Sequence, residues 1–160
     1  MISYDDYVSI YGADRMPMEE FNRISIRAAR IMDIYTTGAD GFHKLWDAFP
    51  TNEHDAMIVK ACACQICDML YQMGLSERNS IASKQLTQTE NGLKGGVISS
   101  VSAGNESISY STSGETVMDK AAGDLSLRRR AMQDIIREYL SGVTDANGVN
   151  LLYMGKYPRG

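Results

Sequence analysis

The chain is poor in the residues that most chemistry requires. Its 160 residues include two histidines, His43 and His54, and neither stands in a nucleophile or metal-binding motif. His54 falls in the first turn of an expected helix, beside acids, and reads as a surface residue. Phosphate-cradling loops are missing too. Gly92, Gly95 and Gly96 lack the following lysine and helix that such a loop needs. No apolar run approaches the roughly 18–20 residues that span a bilayer, so no membrane partner is expected. The start, MISYDDYVSIYG, lacks the basic stretch and apolar core of a signal peptide. The expectation is a protein that is intracellular when made. There is no internal repeat. Together these absences leave no catalytic constellation, and the chain reads as a non-enzyme without cofactor or metal.

Cysteine is scarce and clustered. Cys62, Cys64 and Cys67 are odd in number and close together, unlike a secreted disulfide framework. A metal site fails on geometry. Residues 62 and 64 differ by about 200° around a helix, so three thiolates cannot converge. Buried small apolar residues are the better reading.

Positive charge is also scarce. Sixteen Lys and Arg stand against twenty Asp and Glu, a net −4. Residues 1–80 hold 7 basic and 12 acidic residues (−5); residues 81–160 hold 9 and 8 (+1). A broad nucleic-acid grip needs a basic face, and an acidic half suits DNA that passes without being held. Methionine is plentiful, with ten. It reads as flexible core filling, with an adaptable partner surface as the other possibility.

What is present is mostly helix. Ser3 and Asp6 form a capping-box start, with Gly12 as the stop. Pro17 precedes a second helix with Glu19 and Glu20 in its first turn. Phe21, Ile24, Ala28, Ile31, Met32 and Tyr35 recur at three- and four-residue steps, a single apolar stripe. Arg23, Arg27 and Arg30 fall on its flank, and Thr36-Thr37-Gly38 closes it. A short helix is expected within 41–49, stopped by Pro50. Thr51 is the expected cap of the most apolar helix, running from Glu53 to a stop at Gly74. Residues 75–96 read as a loop. Helix returns from Asp119 to Leu140, ended by Gly142. Arg128, Arg129 and Arg130 on it spread over about 200°, too wide for one phosphate clamp. They read as a solvated flank or as charge contacts to an acidic neighbouring copy.

Between these helices lies the segment Gly96 to Ser113. Gly104-Asn105 suits a two-residue turn, which sets Ala103 opposite Glu106 and Val101 opposite Ile108. Val97, Val101, Ile108 and Tyr110 then share one face, and serines dominate the other. A lone hairpin is marginal in water, so its apolar face needs its own helices or a neighbouring subunit. The tail VTDANGVNLLYMGKYPRG is turn-rich yet carries Leu151, Leu152, Tyr153, Met154 and Tyr157, which disordered tails avoid. Such a segment must bury itself in its own core, a neighbour or another protein. The expected fold is mainly α. A small helical bundle spans 1–142, with a loop at 75–96 and a β-hairpin inserted at 97–112, and an extended C-terminal arm spans 143–160.

This order of parts, with VISSVSAGNESISYS, IIREYLSG and LLYMG as its sharpest pieces, resembles the head–tail connector (head-completion or adaptor) proteins of long-tailed double-stranded DNA bacteriophages. The closing motif of that family often has arginine where Met154 stands, and Thr144 to Gly148 is added length here. The resemblance implies a virion protein without enzymatic activity, made in the host cytoplasm. It would form a homo-oligomeric ring of about twelve subunits under the portal protein. The ring would continue the DNA channel without sequence-specific binding and receive the tail or a stopper protein. The tail residues 151–154 and 157 would then contact the portal, the hairpin face would form the subunit interface, and Arg128 to Arg130 would make contacts between subunits. The other reading is a small helical DNA-binding packaging protein of the terminase small-subunit type, with Arg23, Arg27, Arg30 and Arg128 to Arg130 on phosphates.

Overall fold

The computed structural model describes residues 2–85, 100–103, 106–109 and 124–158. Helix α1 spans Tyr4–Tyr11. Its start is the expected capping box: the Ser3 hydroxyl accepts from the Asp6 N–H, and the Asp6 carboxylate accepts from the Ser3 N–H. Gly12 ends it at φ 85°, a conformation that costs glycine little. Helix α2, Met18–Thr36, begins after Pro17. It buries the predicted stripe at Phe21, Ile24, Ala28 and Met32, each large side chain contributing about 1.5–3 kcal/mol.

Helix α3, Lys44–Asp47, is a single turn. It is followed by α4, Glu53–Gln85, the longest element. Two expectations are corrected on α4. Asn52, not Thr51, caps it, its side-chain oxygen accepting from the His54 and Asp55 N–H groups at 2.9 and 3.3 Å. The helix also does not stop at Gly74; it continues through residues read as loop. Gly74 is not among the glycines with positive φ, so it is not a left-handed stop. Cys62, Cys64 and Cys67 are all fully buried, as read from the sequence.

Helix α5 spans Leu125–Leu140; the expected start at Asp119 lies outside the described residues. The Asp124 carboxylate caps it by accepting from the Ser126 and Leu127 N–H groups. Met132, Ile136 and Leu140 face the core, and Gly142 ends the helix at φ 85°. The described chain is thus mainly helical, with five helices. Among the described residues, no helix is long and apolar enough to cross a membrane.

Two four-residue strands, β1 (Ser100–Ala103) and β2 (Glu106–Ser109), pair antiparallel with Val101 opposite Ile108 and Ala103 opposite Glu106. This short ribbon does not support a packed hairpin over 97–112. Val97 and Tyr110, half of its expected packing face, lie outside the described residues, as do the turn residues.

The chain divides into two compact units, Met1–Tyr71 with Arg129–Gly160, and Gln72–Arg128. The C-terminal segment from residue 143, read as an arm, clusters with the first unit. In the second unit, Arg128 is half-buried and pairs with Glu77 of its own chain. Arg128 is thereby engaged within its own chain, whereas Arg129 and Arg130 are exposed.

Candidate functional site

The most elaborate construction in the first unit is the dock of residues 143–157. After Gly142 the chain folds back on itself. The Leu151 N–H donates to the Val143 carbonyl at 3.0 Å, and the Asp145 N–H to the Val149 carbonyl at 2.9 Å. Asp145 organises the turn between them. One of its carboxylate oxygens accepts from the Asn147 and Val149 N–H groups at 2.9 Å each, the local bonding that makes Asp-x-Asn-Gly a turn. Gly148 completes it at φ 76°.

Four further contacts hold this loop to the body. The Ala146 N–H donates to the Ala48 carbonyl and the Ala39 N–H to the Gly155 carbonyl, both at 3.0 Å. Thr144 donates its N–H and hydroxyl to one Asp55 oxygen at 3.2 Å each. Tyr157 stacks on Phe42 with ring centroids 3.9 Å apart. Its hydroxyl donates to Asp145 at 2.7 Å and accepts from the Asn147 amide at 2.9 Å. Burial, then the neighbouring Asp145 carboxylate, raises the Tyr157 pKa.

Lys44 is the centre of the dock. It has no exposed surface. Its ammonium donates to the Leu151 carbonyl at 2.9 Å and to the Tyr153 carbonyl. Burial pushes its pKa down, and the carboxylates of Asp145 and Asp40 oppose that fall. A cation removed from water needs such partners. Sequence reading missed it, because a lysine one residue before Leu45-Trp46 looks like an ordinary surface residue. Its partners lie 107 and 109 positions away.

The five predicted tail residues therefore separate. Leu151 is fully buried and Tyr157 nearly so, both against their own chain. An extended arm is not what this segment forms, because its apolar side chains find a core at home. Leu152 is half-buried, while Tyr153 and Met154 are 49% and 55% exposed. The dock thus presents a two-residue apolar tip on a fixed base.

A second polar anchor was also missed. Asp68 is buried on α4, where it receives both Arg15 nitrogens at 2.9 Å and the Tyr7 hydroxyl at 2.9 Å. Burial, then Asp68, raises the Tyr7 pKa; bonding to Asp68 raises that of Arg15. An aspartate in the run Cys67-Asp68-Met69-Leu70 was the available signal. Beside it, Tyr11 donates to Gln65 and is pushed up to about 12, chiefly by burial. The three thiols are each pushed up to about 12, burial being the first cause. They are protonated at neutral pH and poor as nucleophiles or ligands.

Finally, an apolar cleft lies between α2 and α4, lined by Ile2, Met32, Trp46, Phe49, Val59 and Ala63. Its cation, Lys60, is 3.1 Å from Asp6. Compared with known protein families, curated proteins and solved structures, the chain finds no match in any of the three.

Proposed function

We propose that this protein is a structural adaptor of a bacteriophage head–tail junction. In this reading it forms a ring under the portal, continues the DNA channel and receives the tail or a stopper protein. The reading rests on the resemblance in the order of parts. The observation that carries it is the exposed Tyr153–Met154 tip on a base fixed by Lys44. Pre-ordering such a tip lowers the entropy cost of binding. The partner contact therefore shrinks from a five-residue arm to Tyr153 and Met154, with Leu152 at its edge.

Deleting residues 151–160 does not test this cleanly, since Leu151 and Tyr157 are core. The combined Tyr153→Ala and Met154→Ala variant does. It is expected to melt like the wild type and to lose capture by portal-bearing heads. Normal head completion by that variant would remove the tip from the mechanism.

One observation favours the DNA-packaging alternative. Arg23, Arg27 and Arg30 all lie on the exposed side of α2. Phosphate neutralisation would make duplex affinity fall steeply with salt. Tight binding with that slope, lost on Arg27→Glu, would decide for this alternative; salt-insensitive or absent binding decides against it.

A further inference from the structure

The outward side of α2 has an unusual composition. On a helical wheel the buried stripe centres on Ala28 and Met32. The opposite arc, about 100° wide, is filled between positions 22 and 35 by Arg23, Ile26, Arg27, Arg30 and Ile34. It contains three arginines, two isoleucines and no carboxylate. Ile26 and Ile34 are 69% and 59% exposed. Arg23 is held by Glu20 at 2.6 Å. Arg27 and Arg30 have no carboxylate partner among the described residues. Aliphatic side chains interleaved with arginine are the composition of a protein-binding face, where arginine anchors binding and apolar area is desolvated. A phosphate backbone would use the arginines and gain nothing from the isoleucines.

The same unit displays a complementary surface. At the start of α4, Glu53 and Met57 stand one turn apart and both are exposed, Met57 at 58%. Asp5 of α1 is exposed too, and α1 is tied to this part of α4 by the Asp6–Lys60 pair at 3.1 Å. Acid and methionine here answer arginine and isoleucine on α2.

We propose that these two faces join one copy of the chain to the next. The α2 face, centred on Arg27, Arg30, Ile26 and Ile34, docks on the Glu53–Met57 face of a second copy. The contact is heterologous, with different surfaces on the two partners, so a joined pair still has one face of each kind free and association propagates, giving the ring of the adaptor reading where the rotation between copies closes. The inference rests on the adaptor reading for its subunit–subunit contact, and it assigns that contact to surfaces outside the hairpin and outside Arg128 to Arg130.

Two single-face variants test it by sedimentation velocity, from micromolar to submillimolar protein. Arg27→Glu with Arg30→Glu removes the basic face; Glu53→Gln with Met57→Gln neutralises the acidic one without creating a partner for the reversed α2 face. The wild type is expected to form oligomers, and each variant to weaken association at least tenfold with an unchanged circular dichroism melt. Mixed together, the two variants are expected to give a one-to-one dimer that grows no further, since only one productive face pair remains. A monomeric wild type, or oligomers indifferent to both variants, overturns the inference. The adaptor reading has its own readout, capture by portal-bearing heads. Captured wild type whose oligomers ignore both variants would sink the interface and leave the adaptor standing. Failed capture beside the expected dimer would do the reverse. Duplex DNA binding by a monomeric wild type, lost on Arg27→Glu with Arg30→Glu, would reassign the α2 face to nucleic acid.

Discussion

Two buried polar anchors tie the ends of this chain to its helices, and they are built on opposite principles. Near the N-terminus, Asp68 meets a full opposite charge from Arg15 in bidentate geometry, with Tyr7 as a third partner. Near the C-terminus, Lys44 meets neutral carbonyls, and its counter-charges Asp145 and Asp40 act as neighbours. The first anchor is strong while complete and costly once broken, because removing one partner strands the other. The second is held by dipoles, so it is weaker and can respond to protonation. The end of the chain that bears the exposed tip is thus the end with the gentler hold.

The largest expected effect breaks the first anchor. Asp68→Ala leaves the buried Tyr7 hydroxyl and the half-exposed Arg15 without their acceptor. A loss of about 3 kcal/mol is expected, at the low end for a broken buried pair because Arg15 reaches solvent. In a chain of this size that lowers the melting temperature by roughly 6–12 °C. A shift under about 2 °C would show that the pair adds little. Lys44→Met should cost less, about 2 kcal/mol, by leaving the Leu151 and Tyr153 carbonyls facing a thioether. Its signature is local: proteolysis after residue 142 should quicken before the helices melt. If Lys44→Met destabilises more than Asp68→Ala, the ranking of the anchors is reversed.

Tyr157→Phe removes the two hydroxyl bonds of the second anchor, the one donated to Asp145 and the one accepted from Asn147. The ring keeps its stack on Phe42 and Asp145 loses one donor of three. About 1 kcal/mol is expected, read as faster amide exchange at Leu151 and Val149. Unchanged exchange would mean that the backbone bonds of the 145–149 turn suffice.

The two anchors also show what the sequence made legible. Ser3 with Asp6, the α2 stripe and the buried cysteines are local facts, set by spacings of three and four, and reading them needed no knowledge of the fold. Lys44 is invisible at that range, since it is buried only because the chain returns more than a hundred residues later. The tail was recognisable as too apolar to be free, but its own core as the destination was not. Gly74 misled for a different reason. Glycine marks helix ends when the backbone turns left-handed, and here it sits within α4 with nothing within 4 Å of where a Cβ would lie. Gly74→Ala should therefore stabilise the protein by about 0.5–1 kcal/mol. At a true helix stop the same change would destabilise, so the sign of the melting shift is decisive. It also reports on α4, the helix to which the N-terminal anchor is fixed.

The smallest effect sharpens the contrast between the anchors most. Lys44 has its pKa lowered from 10.5 in the docked state, chiefly by burial. Between that lowered value and 10.5, the open state binds more protons than the docked one, so docking strengthens as pH rises. Tyr157 works the other way. Its pKa is raised from 10.0 by burial and by Asp145, so its support is complete below pH 10 and is lost as pH climbs from there through the raised value. The dock should therefore be tightest on the alkaline side of neutrality, just below pH 10. Proteolytic release of residues 143–157, followed from neutral pH up to pH 10 against an unstructured peptide control, should slow relative to that control as the pH approaches 10. Lys44→Gln should abolish the trend, and Tyr157→Phe should preserve it over this range. A trend that survives Lys44→Gln would assign the pH response to another group and leave the two anchors alike.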